Sequence, residues 1–205
     1  MSSVRSRVLA IHTASPDPSP QRSVAELVEQ LARRASADAF SAGLNPAQWS
    51  ALRYFERANR FSRTVSAFAR YHGTTRGTAS QTIRTLVTKG FLQRTPAESD
   101  QRSFRLDLTD RARRRLAVDP FATFVAAAGT LPREECATLA RSLGKLLEQV
   151  RGDPAFGVCT SCRHLRALEG QPDAGCAHRC RFKDALLHDE ELGLICIDHQ
   201  SRVDH

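Results

Sequence analysis

The chain has 205 residues, of which 30 are basic and 22 are acidic, so its net charge is +8 at pH 7. Such a balance favours polyanionic partners, and nucleic acid is the first candidate. No apolar run approaches the roughly 20 residues that a membrane-spanning helix requires, so no membrane partner is expected.

The start of the chain predicts a disordered tail over residues 1–22. Its apolar run, residues 8–11, is too short for the core of a secretory signal, and a Ser/Pro-rich stretch follows. Because we find no export signal, we expect a cytoplasmic protein whose cysteines meet a reducing environment.

Two helices are predicted next. Residues 24–31 place apolar side chains at i, i+3, i+4 and i+7, which predicts an amphipathic helix that Ser23 caps and that runs to about Ala42. Asn45 and Pro46 predict the start of the second helix, because Asn is a favoured N-cap and Pro suits the first helical position.

A helix pair and a β-hairpin follow in the sequence. Residues 65–71 predict a short helix, and residues 74–89 predict a longer one that begins with a Thr-Thr cap and stops at a glycine. Residues 91–94 and 104–108 have strand patterns on either side of a polar turn over residues 95–102.

The last third of the chain divides into helices and a cysteine-rich extension. Helical patterns continue from a cap at Thr109 to residue 150, and the Gly-Asp-Pro sequence at residues 152–154 is the clearest boundary. We therefore predict a DNA-binding and dimerisation domain over residues 23–151 and an extension over residues 152–205.

This order of elements predicts a mainly α fold with a small β wing, the winged helix-turn-helix. Residues 60–115 contain 13 basic and 4 acidic residues, a concentration of charge that suits phosphate binding. A solvated basic face on an ordinary helical domain is the alternative. On the helix over residues 74–89, side chains opposite the apolar stripe suit bases and phosphates. These candidates are Thr75, Arg76, Thr78, Gln81, Thr82 and Arg84.

Three stretches resemble the MarR family of bacterial transcription regulators, namely residues 44–52, 86–94 and 99–109. The most specific of them is the third, an Asp-x-Arg wing motif followed by Leu-Thr. The resemblance covers about residues 24–150. It implies a homodimer, built from the first and last helices of this region, on a pseudo-palindromic operator.

The resemblance also suggests roles for residues of the wing. It implies that Arg102 reaches the minor groove while Asp100 holds its side chain, with Arg94 as a further DNA-binding candidate at the base of the wing. A turn-stabilising Asp100–Arg102 pair is the alternative. The family's usual effectors are small aromatic acids, but no residue pattern here identifies their pocket.

The sequence predicts no enzyme, since it has neither a phosphate-binding glycine loop nor a nucleophile elbow. Two other residues are expected in the core. Trp49 is predicted to be buried, with a ligand pocket as the alternative, and Cys136 is predicted to be a buried thiol within a helix.

Five of the six cysteines lie in the extension. In a reducing compartment such clustering favours metal ligation over disulfides. We predict a four-thiolate site, because roughly even gaps in sequence bring separate chain segments to a Cys-x2-Cys pair. The ligands are Cys159, Cys162, Cys180 and Cys196, although Cys176 could replace Cys180.

An iron–sulfur cluster is the expected occupant and zinc is the alternative. Zinc ribbons usually have two Cys-x2-Cys pairs and this chain has one. Four arginines near the cysteines suit an anionic cluster, and three histidines are further ligand candidates. An iron–sulfur centre would sense redox state or iron supply. A zinc centre would be structural, with a small aromatic effector elsewhere. A metal-dependent redox enzyme and a partner-docking protein are rival interpretations. The arginines are Arg163, Arg166, Arg179 and Arg181, and the histidines are His164, His178 and His199.

We predict that Arg102→Ala weakens operator binding by roughly 1–3 kcal/mol, the usual value for an arginine that contacts bases. Gel-shift titration of operator and non-operator DNA measures the effect. Arg84→Ala is the comparison: as a phosphate contact it should weaken both DNAs alike and flatten the salt dependence. Unchanged affinity of Arg102→Ala would contradict the wing assignment.

Overall fold

The computed structural model describes residues 19–37, 40, 43–97, 100–151, 156–168 and 176–202. These residues form seven α-helices and seven short β-strands. The helices are α1 (Pro20–Ala37), α2 (Pro46–Arg57), α3 (Val65–Tyr71), α4 (Arg76–Thr88), α5 (Asp110–Leu116), α6 (Ala122–Ala128) and α7 (Arg133–Arg151). The strands are β1 (Leu92–Ala97), β2 (Asp100–Leu108), β3 (Gly157–Val158), β4 (Leu165–Ala167), β5 (His178–Cys180), β6 (Ala185–Leu187) and β7 (Ile195–Cys196).

The core lies between α2, α3, α4 and the β1–β2 hairpin, which is the wing, so the predicted winged helix-turn-helix is confirmed. α2 begins at a capping box, in which the Gln48 amide donates to the Asn45 side chain at 2.9 Å. Its inner face buries Trp49, Leu52 and Phe55, each at most 1% exposed. The expected core position of Trp49 is therefore confirmed.

The wing is longer than its sequence pattern predicts. β1 continues to Ala97 and β2 starts at Asp100, so most of the predicted polar turn over residues 95–102 is paired strand. Pro96 lies opposite Phe104 in this pairing. A proline is tolerated there because a two-stranded hairpin has an unpaired edge that does not need its missing amide hydrogen.

The first helix starts earlier than predicted. α1 begins at Pro20, and the Arg22 amide donates to the Ser19 side chain at 3.3 Å. Ser23 therefore lies inside the helix and is not its cap, because Pro20 already supplies the φ angle of a first helical turn. Residues 1–18, which hold most of the predicted tail, lie outside the described residues.

The helices α1 and α7 bury none of their residues within the chain. Cys136, in α7, is only half-buried, so the expectation of a buried core thiol is wrong for the single chain. Both helices nevertheless carry apolar side chains at helical spacing. The exposed ones are Val24, Leu27, Val28 and Leu31 in α1, and Leu139, Leu143, Leu146, Leu147 and Val150 in α7.

The extension forms two small antiparallel sheets, one of β3 and β7 and one of β4, β5 and β6. A helical spacing of Cys176 and Cys180 had been considered, but Cys180 belongs to β5 and pairs with Leu165 and Ala185. Among the described helices, none has the length and apolar character needed to cross a bilayer.

We predict that the protein is a dimer that Leu146→Glu weakens. Loss of one buried leucine costs about 1.5–3 kcal/mol, and the new carboxylate adds a desolvation cost, so sedimentation should show a shift towards monomer. Lys145→Glu introduces the same carboxylate on another face of α7 and should leave the dimer intact. Equal dimer stability of the two variants would contradict the assignment.

Candidate nucleic-acid interface and thiol cavity

The helix α4 presents a polar face opposite its buried residues and contains no acidic side chain. Thr75 is the N-cap, and its hydroxyl accepts the Thr78 amide at 3.1 Å, so it positions the helix. Thr82 is half-buried and its hydroxyl donates to a backbone carbonyl of the preceding turn. The predicted candidates whose side chains are exposed for DNA are Arg76, Thr78, Gln81 and Arg84.

The wing carries the remaining predicted DNA contacts. The Arg94 guanidinium lies over the Phe104 ring, 4.7 Å from its centroid, which holds this exposed side chain at the base of the hairpin. Asp100 and Arg102 lie in β2, but their side chains are outside the described part of the structure. Their role in the minor groove therefore stays a prediction.

Four of the cysteines line one small cavity in the extension. Cys159 begins a 3-10 turn that Cys162 ends, Cys180 is the last residue of β5 and Cys196 is the last residue of β7. These are the four cysteines that the sequence analysis favours as ligands. The other residues of the lining are Asn59, Phe61, His164, Leu165, Phe182, Lys183, Leu187 and Asp198.

The protein environment opposes ionisation of these thiols. Burial raises the pKa of Cys159 to about 12, and the neighbouring Cys196, Cys180 and Cys162 thiols raise it further. Burial also raises the pKa of Cys196, although a hydrogen bond with the Asn59 side chain opposes this effect. Several thiolates close together are stable only when a cation compensates their charge, which is the usual condition of a metal-binding thiolate group.

The four thiols surround a space. The cavity measures about 10 Å³, roughly the room that one water molecule needs. Within the described residues, no group of three or more His, Cys, Asp or Glu side chains is arranged to hold a metal ion as it stands. A single bound ion would therefore require the thiols to move closer together.

Cys176 and His199 lie apart from this cavity. Cys176 contacts His188, with 3.3 Å between Sγ and Nδ1, and lines a separate cleft. The His199 ring packs so closely against Gly157 that a Cβ there would lie 2.5 Å from it. Its Nε2 is 3.0 Å from the Ser161 hydroxyl. Both residues have protein partners, and neither replaces Cys180.

The charged neighbours of the cavity differ from those expected. Lys183 lines it, whereas none of the four arginines considered above does. Arg179, for example, pairs with Asp184 at the surface. The argument that these arginines compensate an anionic cluster is therefore not supported by their positions.

The cavity lies against the α2–α3 corner, which is residues 58–63. The Asn59 amide donates to the Ile195 carbonyl at 2.9 Å, and the Ile197 amide donates to the Ser62 hydroxyl at 2.9 Å. Ile195 is itself part of the hydrophobic core of the winged-helix domain. The strand that carries Cys196 is thereby joined to the DNA-binding domain by hydrogen bonds and by core packing.

Side chains strengthen this contact. Arg60 forms an ion pair with Glu191, and its guanidinium also donates to the Leu186 carbonyl. Asn59 is 1% exposed and lines the cavity. Sequence analysis did not find Asn59, because nothing in its local pattern indicates a contact with cysteines so far along the chain.

The other side of the corner is bonded to the wing. Arg63 donates to the Ala58 carbonyl at 3.0 Å and to the Asp107 carboxylate at 2.8 Å. The Arg63 carbonyl accepts the Leu106 amide at 2.8 Å. Burial raises the pKa of Asp107, but hydrogen bonds from Thr95, Arg105 and Arg63 outweigh it, so this pKa lies below its usual value and the carboxylate stays charged.

Residues 42–103 match the model of the MarR family. In fold the chain is similar to AbsC, a MarR family transcriptional regulator from Streptomyces coelicolor, with a TM-score of 0.53 and 20% identity over 65% of this chain and 93% of that one. It is also similar to a MarR/EmrR family transcriptional regulator from Acinetobacter sp. ADP1, with a TM-score of 0.51 and 18% identity over 65% of this chain and 95% of that one. No curated protein matches the chain. The family match ends before the extension begins.

We predict that Cys180→Ser and Cys176→Ser have opposite outcomes. Because Cys180 lines the cavity and a hydroxyl is a poor ligand for soft metals, Cys180→Ser should lose bound metal. Cys176→Ser should retain it, as should Cys136→Ser. Elemental analysis of protein purified without oxygen measures metal per chain. Loss of metal in Cys176→Ser but not in Cys180→Ser would reverse the ligand assignment.

Proposed function

We propose that this protein is a dimeric DNA-binding transcription regulator of MarR type, a repressor, whose extension holds a thiolate-bound metal centre that controls DNA binding. The observation that carries the proposal is the position of four thiols around one cavity, directly against the α2–α3 corner of a winged-helix domain. DNA recognition and metal binding would then share one structural element.

Support for DNA binding comes from charge, fold and family match together. The polar face of α4 carries Arg76 and Arg84 and no carboxylate. The family match spans α2, α3, α4 and most of the wing. A helix of this kind reads base edges in the major groove while the wing contacts the adjacent backbone or minor groove.

Support for a homodimer comes from the apolar side chains of α1 and α7, which the single chain leaves exposed. A two-fold dimer would cover them with the same faces of a second copy. Two readers related in this way would bind the half-sites of a pseudo-palindromic operator, as the family resemblance implies.

An iron–sulfur cluster suits the thiol cavity better than zinc. A zinc ion bound at about 2.3 Å by four thiolates leaves no water-sized space between the sulfurs. The four thiols here surround such a space, and a cluster places its irons and sulfides between its cysteine ligands. The Lys183 ammonium at the cavity would compensate part of the cluster's negative charge.

The α2–α3 corner provides a physical link from the centre to the DNA-binding surface. Asn59 contacts Cys196 on one side, while Arg63 bonds Asp107 of β2 on the other. Filling the cavity would fix the corner, and with it the start of α3 and the position of the wing. Since an ordered reader loses less entropy on binding, we expect the loaded protein to bind operator more tightly.

We predict that Arg63→Gln separates metal binding from control of DNA binding. Arg63 lies outside the cavity lining, so metal content should stay unchanged. The affinity ratio of loaded to metal-free protein for operator is typically about 5–150-fold for such coupling, and it should fall towards one. Fluorescence anisotropy with both forms of each variant measures this ratio.

Arg105→Gln is the matched control for this prediction. It removes the same charge and another hydrogen bond to Asp107, but leaves the bond from Arg63 to Asp107 in place. Its affinity ratio should stay near that of the unmodified protein. Equal ratios in both variants would show that control does not pass through Arg63.

The experiment that tests the proposed function is anaerobic purification followed by metal, sulfide and DNA-binding measurements. Iron with acid-labile sulfide, and operator affinity that depends on it, would support the redox or iron-sensing form. Zinc alone, with unchanged DNA binding after removal, would leave a MarR-type regulator with a structural zinc site and a small aromatic effector. Absence of any metal would overturn the metal-centre part of the proposal.

A further inference from the structure

One ring nitrogen faces the thiol cavity without a protein partner. The His164 Nε2 atom is fully buried and, within the described residues, forms no hydrogen bond. His164 also lines the cavity beside Cys159, Cys162, Cys180 and Cys196. A buried polar atom of this kind is destabilising unless it is hydrogen-bonded, so the site requires a further group that completes it.

The position of this ring is set by its surroundings. The His164 carbonyl accepts the Arg181 amide at 3.0 Å, which ties this residue to the strand end that carries Cys180. Its ring lies 5.3 Å from the Phe182 ring, centroid to centroid. The nitrogen therefore cannot reach solvent without disrupting the aromatic contact and the strand pairing around the cavity.

We infer that His164 donates its Nε2 hydrogen to a sulfur atom of an iron–sulfur cluster in this cavity and stabilises the reduced cluster. The inference rests on the proposed function for the presence of the centre. It goes beyond it by assigning a positioning and tuning residue that is not a ligand. Hydrogen bonds to cluster and cysteine sulfurs offset the negative charge added on reduction, so they raise the reduction potential.

Other histidines of the extension have different surroundings. The His199 Nε2 has the Ser161 hydroxyl, and the His178 Nδ1 pairs with Asp189 at 3.2 Å. Neither histidine lines the cavity. His164 is thus distinguished from them by both its missing partner and its position, and His178 provides a matched control for substitution.

The test uses the full-length protein, purified and reconstituted without oxygen, and three variants. His164→Leu removes the donor while keeping an apolar side chain, His164→Gln retains a donor, and His178→Leu is the control. Iron and acid-labile sulfide per chain are measured first. The cluster is then titrated with dithionite, which supplies one electron per step, against redox dyes.

We expect all variants to contain the cluster. At a fixed potential, His164→Leu should hold about tenfold less reduced cluster relative to oxidised cluster, a decrease of about 59 mV for a one-electron couple. His164→Gln and His178→Leu should stay close to the unmodified protein. The metal-free His164→Leu protein should melt at the same or a higher temperature, because the substitution removes an unsatisfied buried nitrogen.

Several outcomes would overturn the inference. Loss of the cluster in His164→Leu, as in Cys180→Ser, would make His164 a ligand. A potential equal to that of the unmodified protein would exclude hydrogen bonding to the cluster. Zinc without labile sulfide in the unmodified protein would remove this inference while leaving a zinc-containing regulator. Absence of any metal would instead overturn the metal centre of the proposed function.

Discussion

The packing of the α2–α3 corner against the strand of Cys196 is the contact on which the rest of the structure depends. Ile195 enters the core of the winged-helix domain, while the Asn59 amide donates to its carbonyl. The short strands of the extension have little core of their own, since they are two or three residues long. They are therefore stabilised by burial against a domain that folds around α2, α3 and α4.

This arrangement explains why a thiol group can exist here at all. Buried thiols with raised pKa values are stable when protonated, and they become a metal site when a cation replaces the protons. The extension brings Cys159, Cys180 and Cys196 together from separate strands and turns, and the α2–α3 corner closes one side of the space between them. A centre formed in this way is coupled to the DNA-binding domain by construction, because one wall of its cavity belongs to that domain.

The corner has contacts on both sides, which gives it a role that neither α2 nor α3 has alone. Arg63 bonds the carbonyl of Ala58, the residue that bridges to Ile195, and also bonds Asp107 in the wing. A displacement at the thiol cavity would therefore alter contacts of both the extension and the hairpin. Packed elements of this type tend to change between discrete arrangements, which is the property that a regulatory centre needs.

The sequence by itself determined the elements whose signals are local. The Asn45 capping box, the alternation in β2 and the periodicity of α4 each depend on neighbours a few residues away, and the spacing of the cysteines was enough to favour the four that line the cavity. Only the tertiary structure decided that Asn59 and His164 join those cysteines. Such contacts arise where distant segments pack together, and their geometry depends on burial and backbone pairing that no local pattern encodes. The start of α1 and the length of the wing were misjudged for a related reason, because caps and strand ends are set by competing hydrogen bonds that become available only in the folded chain.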